Sequence, residues 1–184
     1  CAIKSKNDSK ANKYIDGETY TMGIAVQGNY IYTRTYPNSN IYKYNKSNLS
    51  LDKKRTNVRR QDFRNSYNYQ HDAIAAVGDY IYLTSYARKK ICRYNASNLS
   101  NANFSNGQHC ITSPTYNWRG LAASGKTTAS TADDYLYSWA HNNRSGTINK
   151  FNANSGAFDS RFARRGTSAG QTYNIYRGIG TDPN

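Results

Sequence analysis

Few side chains in this chain sit in patterns that do chemistry. His71-Asp72 puts an imidazole next to a carboxylate, which serves as an acid–base pair or as two metal ligands. Trp118-Arg119 and Tyr176-Arg177 each put an aromatic ring next to a guanidinium. That pairing stacks on a sugar or a base while the cation holds an anionic group; the plainer alternative is a packed ring with its arginine in water. Cys92 and Cys110 stand 18 residues apart. They form either a disulfide or two buried thiols, and the bridge is the favoured reading, which implies an oxidising compartment. There is no Gly-Xaa-Ser-Xaa-Gly nucleophile elbow. Gly125-Lys126-Thr127 ends like a phosphate loop, but the glycine position upstream of it, Gly120, belongs to an apolar strand pattern. No catalytic residue and no cofactor is therefore assigned.

These residues hang on a repeat. Gly23-Ile24-Ala25-Val26 with Tyr30-Ile31-Tyr32 recurs 50 residues on as Ala73-Ile74-Ala75-Ala76 with Tyr80-Ile81-Tyr82. It returns as Gly120-Leu121-Ala122-Ala123 with Tyr135-Leu136-Tyr137, and starts again at Gly178-Ile179-Gly180-Thr181. Ile41-Tyr42-Lys43-Tyr44-Asn45 matches Ile91-Cys92-Arg93-Tyr94-Asn95 and Ile148-Asn149-Lys150-Phe151-Asn152. Ser47-Asn48-Leu49-Ser50 recurs as Ser97-Asn98-Leu99-Ser100, which is turn chemistry. Strand patterning at such a period predicts an all-β chain, a β-propeller with four-stranded blades of about 50 residues.

Whole blades are expected at about 20–65, 70–114 and 117–165, in a single propeller or part of one, with an orphan outer strand at 1–15 and an orphan inner strand at 174–184. In the first blade the strands are expected at Gly23 to Val26, Tyr30 to Thr35, Ile41 to Asn45 and, polar and basic, within Lys54 to Phe63. Gly125 to Ala132 reads as a surface loop. The residues just before the inner strands then ring one mouth of a central channel. This makes His71, Asp72, Trp118, Arg119, Tyr176 and Arg177 the expected ligand-binding positions.

Composition points the same way. Eighteen tyrosines and a single glutamate, Glu18, suit pleated sheets better than helices. The net charge of +14 favours polyanion partners, an anionic glycan ahead of nucleic acid, or else only keeps the chain soluble. Lys53-Lys54-Arg55 with Arg59, Arg60 and Arg64, and Arg88-Lys89-Lys90, with Tyr67, Tyr69 and Tyr86 among them, make either such a surface or a solvated outer edge, and the edge is favoured. No apolar run is long enough to span a membrane. Cys1 is a mature end after signal removal, a lipid-bearing cysteine or a fragment boundary. Glycosylation triplets begin at Asn7, Asn45, Asn48, Asn95, Asn98, Asn103 and Asn143, two pairs of them on the same exposed turn of successive blades.

Lys150 to Asn184 resembles an NHL-type propeller repeat through Phe151, Gly156, Phe158, Phe162, Gly166, Gly170 and Arg177-Gly178-Ile179-Gly180-Thr181-Asp182-Pro183-Asn184. Tyr176-Arg177 stands where that family usually has a proline before the glycine. YVTN-like and quinoprotein-like blades resemble the earlier units as well. The resemblance implies a β-propeller, an architecture that hosts enzymes, RNA binders and scaffolds alike. Lyases of the NHL group hold zinc with channel histidines. Here His71 alone is expected at the channel, with His109 near an outer strand and His141 in a loop, so no metal site is expected.

The leading expectation is a secreted or cell-surface module that binds or assembles rather than catalyses. A neighbouring chain's strand 1–15 would complete its broken blade head to tail. The alternatives are a basic RNA-binding propeller with free thiols, and a metal-dependent lyase or hydrolase using His71.

Overall fold

Tyr30-Ile31-Tyr32-Thr33 and its equivalents alternate two kinds of side chain, the two-residue period of a strand packed on both faces. The computed structural model describes residues 20–36, 39–63, 73–85, 88–113, 117–125, 134–142 and 145–162. Strands β1 (Tyr20–Gln27), β2 (Tyr30–Tyr36), β3 (Ile41–Asn45) and β4 (Leu51–Arg55) form one antiparallel sheet in chain order. A helical turn, α1 (Val58–Gln61), follows. The second sheet is β5 (Ile74–Val77), β6 (Tyr80–Ser85), β7 (Lys90–Asn95) and β8 (Cys110–Thr112). The third is β9 (Asn117–Ser124), β10 (Tyr135–Asn142), β11 (Ser145–Asn152) and β12 (Phe158–Phe162). The innermost strands pack on one another, β1 on β5 and β5 on β9. Three four-stranded meanders with adjacent inner strands are the blades of a β-propeller.

Local chemistry sets each blade. The β1–β2 and β5–β6 turns place Gly28 and Gly78 at φ 55° and 57°, the glycine-first geometry that joins strands by two residues. The turn after the third strand closes alike in every blade, by Leu49 N–H to the Asn45 carbonyl, Leu99 N–H to Asn95 and Gly156 N–H to Asn152, at 2.8, 2.9 and 2.8 Å. The donor residue is left-handed each time, at φ 56°, 63° and 70°.

The core lies between blades. Ala25, Tyr32 and Ile41 of the first pack against Ile74, Ile81, Leu83, Tyr94 and Leu99 of the second. Ala75, Tyr82, Ile91 and Ile111 of the second pack against Trp118, Leu121, Leu136 and Phe151 of the third. Each fully buried aliphatic or aromatic side chain contributes about 1.5–3 kcal/mol. The faces of a blade are named here by chain direction: the trailing face looks toward the next blade, the leading face toward the one before.

Two expectations are corrected. The first blade's outer strand runs Leu51–Arg55 rather than within 54–63, because Val58 and Phe63 turn inward and are buried in the seam. His141 lies in β10, not in a loop. Gly120 lies inside β9, paired with Trp139, in the strand that its apolar pattern predicts. The strands expected at 1–15 and 174–184, and the loop after Gly125, lie outside the described residues.

Candidate functional site

The seams are built by one repeated clasp. Tyr32 faces Lys43 across the β2–β3 pairing, Tyr82 faces Arg93, and Tyr137 faces Lys150. In each pair the cation lies over the preceding strand's first tyrosine: Lys43 Nζ 3.7 Å from Tyr30, Arg93 Cζ 4.1 Å from Tyr80, Lys150 Nζ 3.6 Å from Tyr135. The phenol and the cation then reach across to the turn of the next blade. The Tyr32 hydroxyl donates to the Ala96 carbonyl at 3.1 Å and Lys43 Nζ to Ser97 O at 3.1 Å. The Tyr82 hydroxyl donates to the Ala153 carbonyl at 3.1 Å and Arg93 Nη1 to Asn154 O at 3.1 Å. Burial, with smaller charge contributions from Tyr30 and Asp52, pushes the Tyr32 phenol up to about 12; burial also raises Tyr82, so both stay protonated donors.

At both ends of the described blades the same parts are uncovered. Ile24 is 53% exposed and Leu49 54%, whereas their equivalents Ile74 and Leu99 are 5% and 2% exposed beneath the first blade. Val26 and Leu51 continue this exposed apolar leading face of the first blade. At the other end, Tyr137 and Lys150 are half-buried where Tyr32 and Lys43 are buried.

The expected channel-mouth residues fare unevenly. His71, Asp72, Tyr176 and Arg177 lie outside the described residues. Trp118 is buried against Phe151 in the seam with the second blade, ring centroids 4.8 Å apart. The Arg119 guanidinium lies 5.7 Å over the Trp139 ring instead. The two neighbours therefore serve different packing partners and do not form one stacking site. Arg119 is the extra residue of a β-bulge, as is Met22 in the first blade.

Cys92 and Cys110 face each other in the β7–β8 register, Cα atoms 4.1 Å apart, and are joined as a disulfide. His109 with the two sulfurs makes a Cys-His-Cys group within 4.8 Å, but bridged sulfurs offer no thiolate to a metal. Beside it, Asp62 accepts from the Tyr94 hydroxyl at 2.8 Å and lies 3.4 Å from both His109 Nε2 and Arg55 Nη2. Burial pushes the Asp62 carboxyl up, but the nearby His109 ring, the hydrogen bond from Tyr94 and the Arg55 charge together outweigh it, leaving it below its ordinary value. Arg55 also donates to the Leu99 carbonyl at 2.8 Å, and Arg88 Nε to that of Phe63 at 3.2 Å. These members of the basic runs thus bracket the first seam, while Lys53 stays exposed on β4. Of the glycosylation candidates, Asn48, Asn98 and Asn103 are exposed, Asn45 and Asn95 half-buried, and Asn7 and Asn143 lie outside the described residues.

The second seam differs. A cavity of about 400 Å³ opens there between β8 and the third blade, lined by Gln108, Ile111, Trp118, Asn149, Gly156, Phe158 and Arg161, among others. Equivalent positions explain it. Where the second blade has the Cys92–Cys110 bridge, the third has Asn149 facing Arg161, with Arg161 Nε donating to Asn149 Oδ1 at 3.3 Å. Where the second blade has Leu99, the third has Gly156, packed closely against Ile111 and Phe104. Phe158, Asn149 and Arg161 were not singled out from sequence as site residues. Their partners on β8 lie some 40 residues away, and the signal was the departure of Asn149 and Gly156 from the repeat.

No family model matches this chain, and no curated protein matches it. Solved structures do. Glutaminyl cyclase from Myxococcus xanthus superposes with a TM-score of 0.51 at 11% identity, over 91% of this chain and 65% of that one. The chain thus spans less than two thirds of that protein. The computationally designed Ika4 protein superposes with a TM-score of 0.49 at 11% identity, over 90% of this chain and 82% of that one. The cyclase is a propeller-like fold of four-stranded sheets, and its likeness shows the β-propeller fold of this chain. The narrower resemblance to NHL repeats gains no family match.

Proposed function

We propose that the chain is a secreted or cell-surface β-propeller module that binds and assembles rather than catalyses, its copies joining head to tail. The supporting observation is the exposed leading face of the first blade, where Ile24 and Leu49 stand open while Ile74 and Leu99 are buried under a preceding blade. The face that fits there is a trailing face with a tyrosine and a cation in the clasp positions. The third blade carries them as Tyr137 and Lys150, which in a second copy would reach the Lys46 and Ser47 carbonyls as Tyr82 and Arg93 reach Ala153 and Asn154. Lys46 replaces a buried alanine at this turn; its stem can lie along the seam with the ammonium in water. The disulfide supports the oxidising compartment this reading assumes.

Sedimentation velocity over a concentration series tests it. The native protein is expected to form larger species as concentration rises, and Ile24→Asp with Leu49→Asp to stay a folded single chain. A native protein that remains a single chain at every concentration overturns the assembly reading.

A further inference from the structure

We propose that the groove between the second and third blades binds an acidic sugar unit of a polysaccharide. This goes beyond the assembly reading and does not depend on it, since the groove lies at the second seam and the assembly face on the first blade.

The groove is a departure from the repeat, not a packing defect shared by the seams. The same place between the first and second blades is closed by the disulfide, by Leu99 and by the Arg55 guanidinium. The second seam replaces the bridge by Asn149 and Arg161 and the arginine by Ile111, while Gly156, at the leucine's position, is closely covered by Ile111 and Phe104 and opens no gap of its own. Its volume of about 400 Å³ falls among small-ligand sites, which run roughly 300–1,000 Å³.

The lining states the ligand class. Phe158 is 54% exposed beside a floor of buried Trp118 and Phe151, an aromatic platform suited to the C–H face of a pyranose. Gln108, Thr112 and Asn149 supply amides and a hydroxyl for sugar hydroxyls. Trp118 Nε1, on a side chain 2% exposed, has no hydrogen-bond partner among the described residues, so the floor holds an unspent donor. Arg161 brings a guanidinium to the rim, and no carboxylate is among the described residues that line the groove. A carboxylate-bearing hexose fits this set: ring on Phe158, hydroxyls on the amides, carboxylate to Arg161. The net charge of +14 draws such a chain in.

The test is calorimetric titration of the native protein with an oligogalacturonate, with the matching neutral oligogalactoside and with a sulfated oligosaccharide. The acidic uronate is expected to bind at least about tenfold more tightly than the neutral chain, the worth of one charge-assisted contact. Phe158→Ala should weaken both, and Arg161→Gln should erase the preference for the acid. Both residues are exposed on β12, so the variants keep the fold, and unchanged thermal unfolding verifies this. Equal affinity for the acidic and neutral chains, binding of the sulfated chain alone, an Arg161→Gln protein that still prefers the acid, or no binding at all overturns the proposal.

Discussion

At the scale of single residues, one turn position reads differently in each blade. Leu49, Leu99 and Gly156 all close the same turn with positive φ. A left-handed leucine costs about 1–2 kcal/mol. Leu99 offsets this by burial, while Leu49 is exposed. Leu49→Asn is therefore expected to raise single-chain stability by about 1 kcal/mol in denaturant unfolding, since Asn tolerates this conformation. Gly156 has no such freedom to change. A Cβ there would meet Ile111 Cγ2 at 2.5 Å and Phe104 at 3.1 Å, so Gly156→Ala is expected to cost about 2 kcal/mol or more from strain and crowding together.

At the scale of elements, the clasp joins one blade's second strand to the next blade's turn. The Ala153 carbonyl accepts from Tyr82 and also from Arg93 Nη1 at 3.3 Å. Tyr82→Phe leaves it partnered and is expected to cost about 0.5–1.5 kcal/mol. The Ala96 carbonyl has no second side-chain donor among the described residues. Tyr32→Phe is therefore expected to cost more, about 1–3 kcal/mol, and equal losses in the two variants would refute the clasp. The disulfide ties β7 to β8 across a separation of 18 residues. Replacing both cysteines by serine is expected to lower stability by about 3 kcal/mol in urea titration.

For the whole molecule, the seams make stability depend on pH at both ends. The Tyr32 phenol is raised to about 12 in the folded state, and Tyr82 and Tyr94 are raised by burial too. Their stabilising effect is complete below the ordinary tyrosine value of about 10 and is lost as pH climbs through the raised values. Unfolding free energy is expected to fall steeply from about pH 10 to 12. Asp62 has the opposite sign: its folded value is lowered, so its contribution is present above the ordinary carboxylate value of about 3.9 and is lost as pH drops through the lowered one. Asp62→Asn is expected to flatten the acid limb of the stability curve and leave the alkaline limb as it was.

Periodicity by itself determined that the molecule is a stack of four-stranded sheets. A strand shows its two faces in alternating residues, and a repeated blade shows the same alternation again at a constant offset, as Tyr32, Tyr82 and Tyr137 do. The cysteine pair was legible because the repeat put Cys92 and Cys110 on adjoining strands, where the register now sets them opposite each other. What the tertiary structure decided is what lies between blades. Trp118 read as a rim residue, yet a bulge at Arg119 and the approach of the second blade turned it into the floor of a seam. Val58 and Phe63 read as an outer strand, yet they pack inward. The groove comes from two segments far apart in the chain, and local pattern carries no information on which empty positions will face each other across a seam.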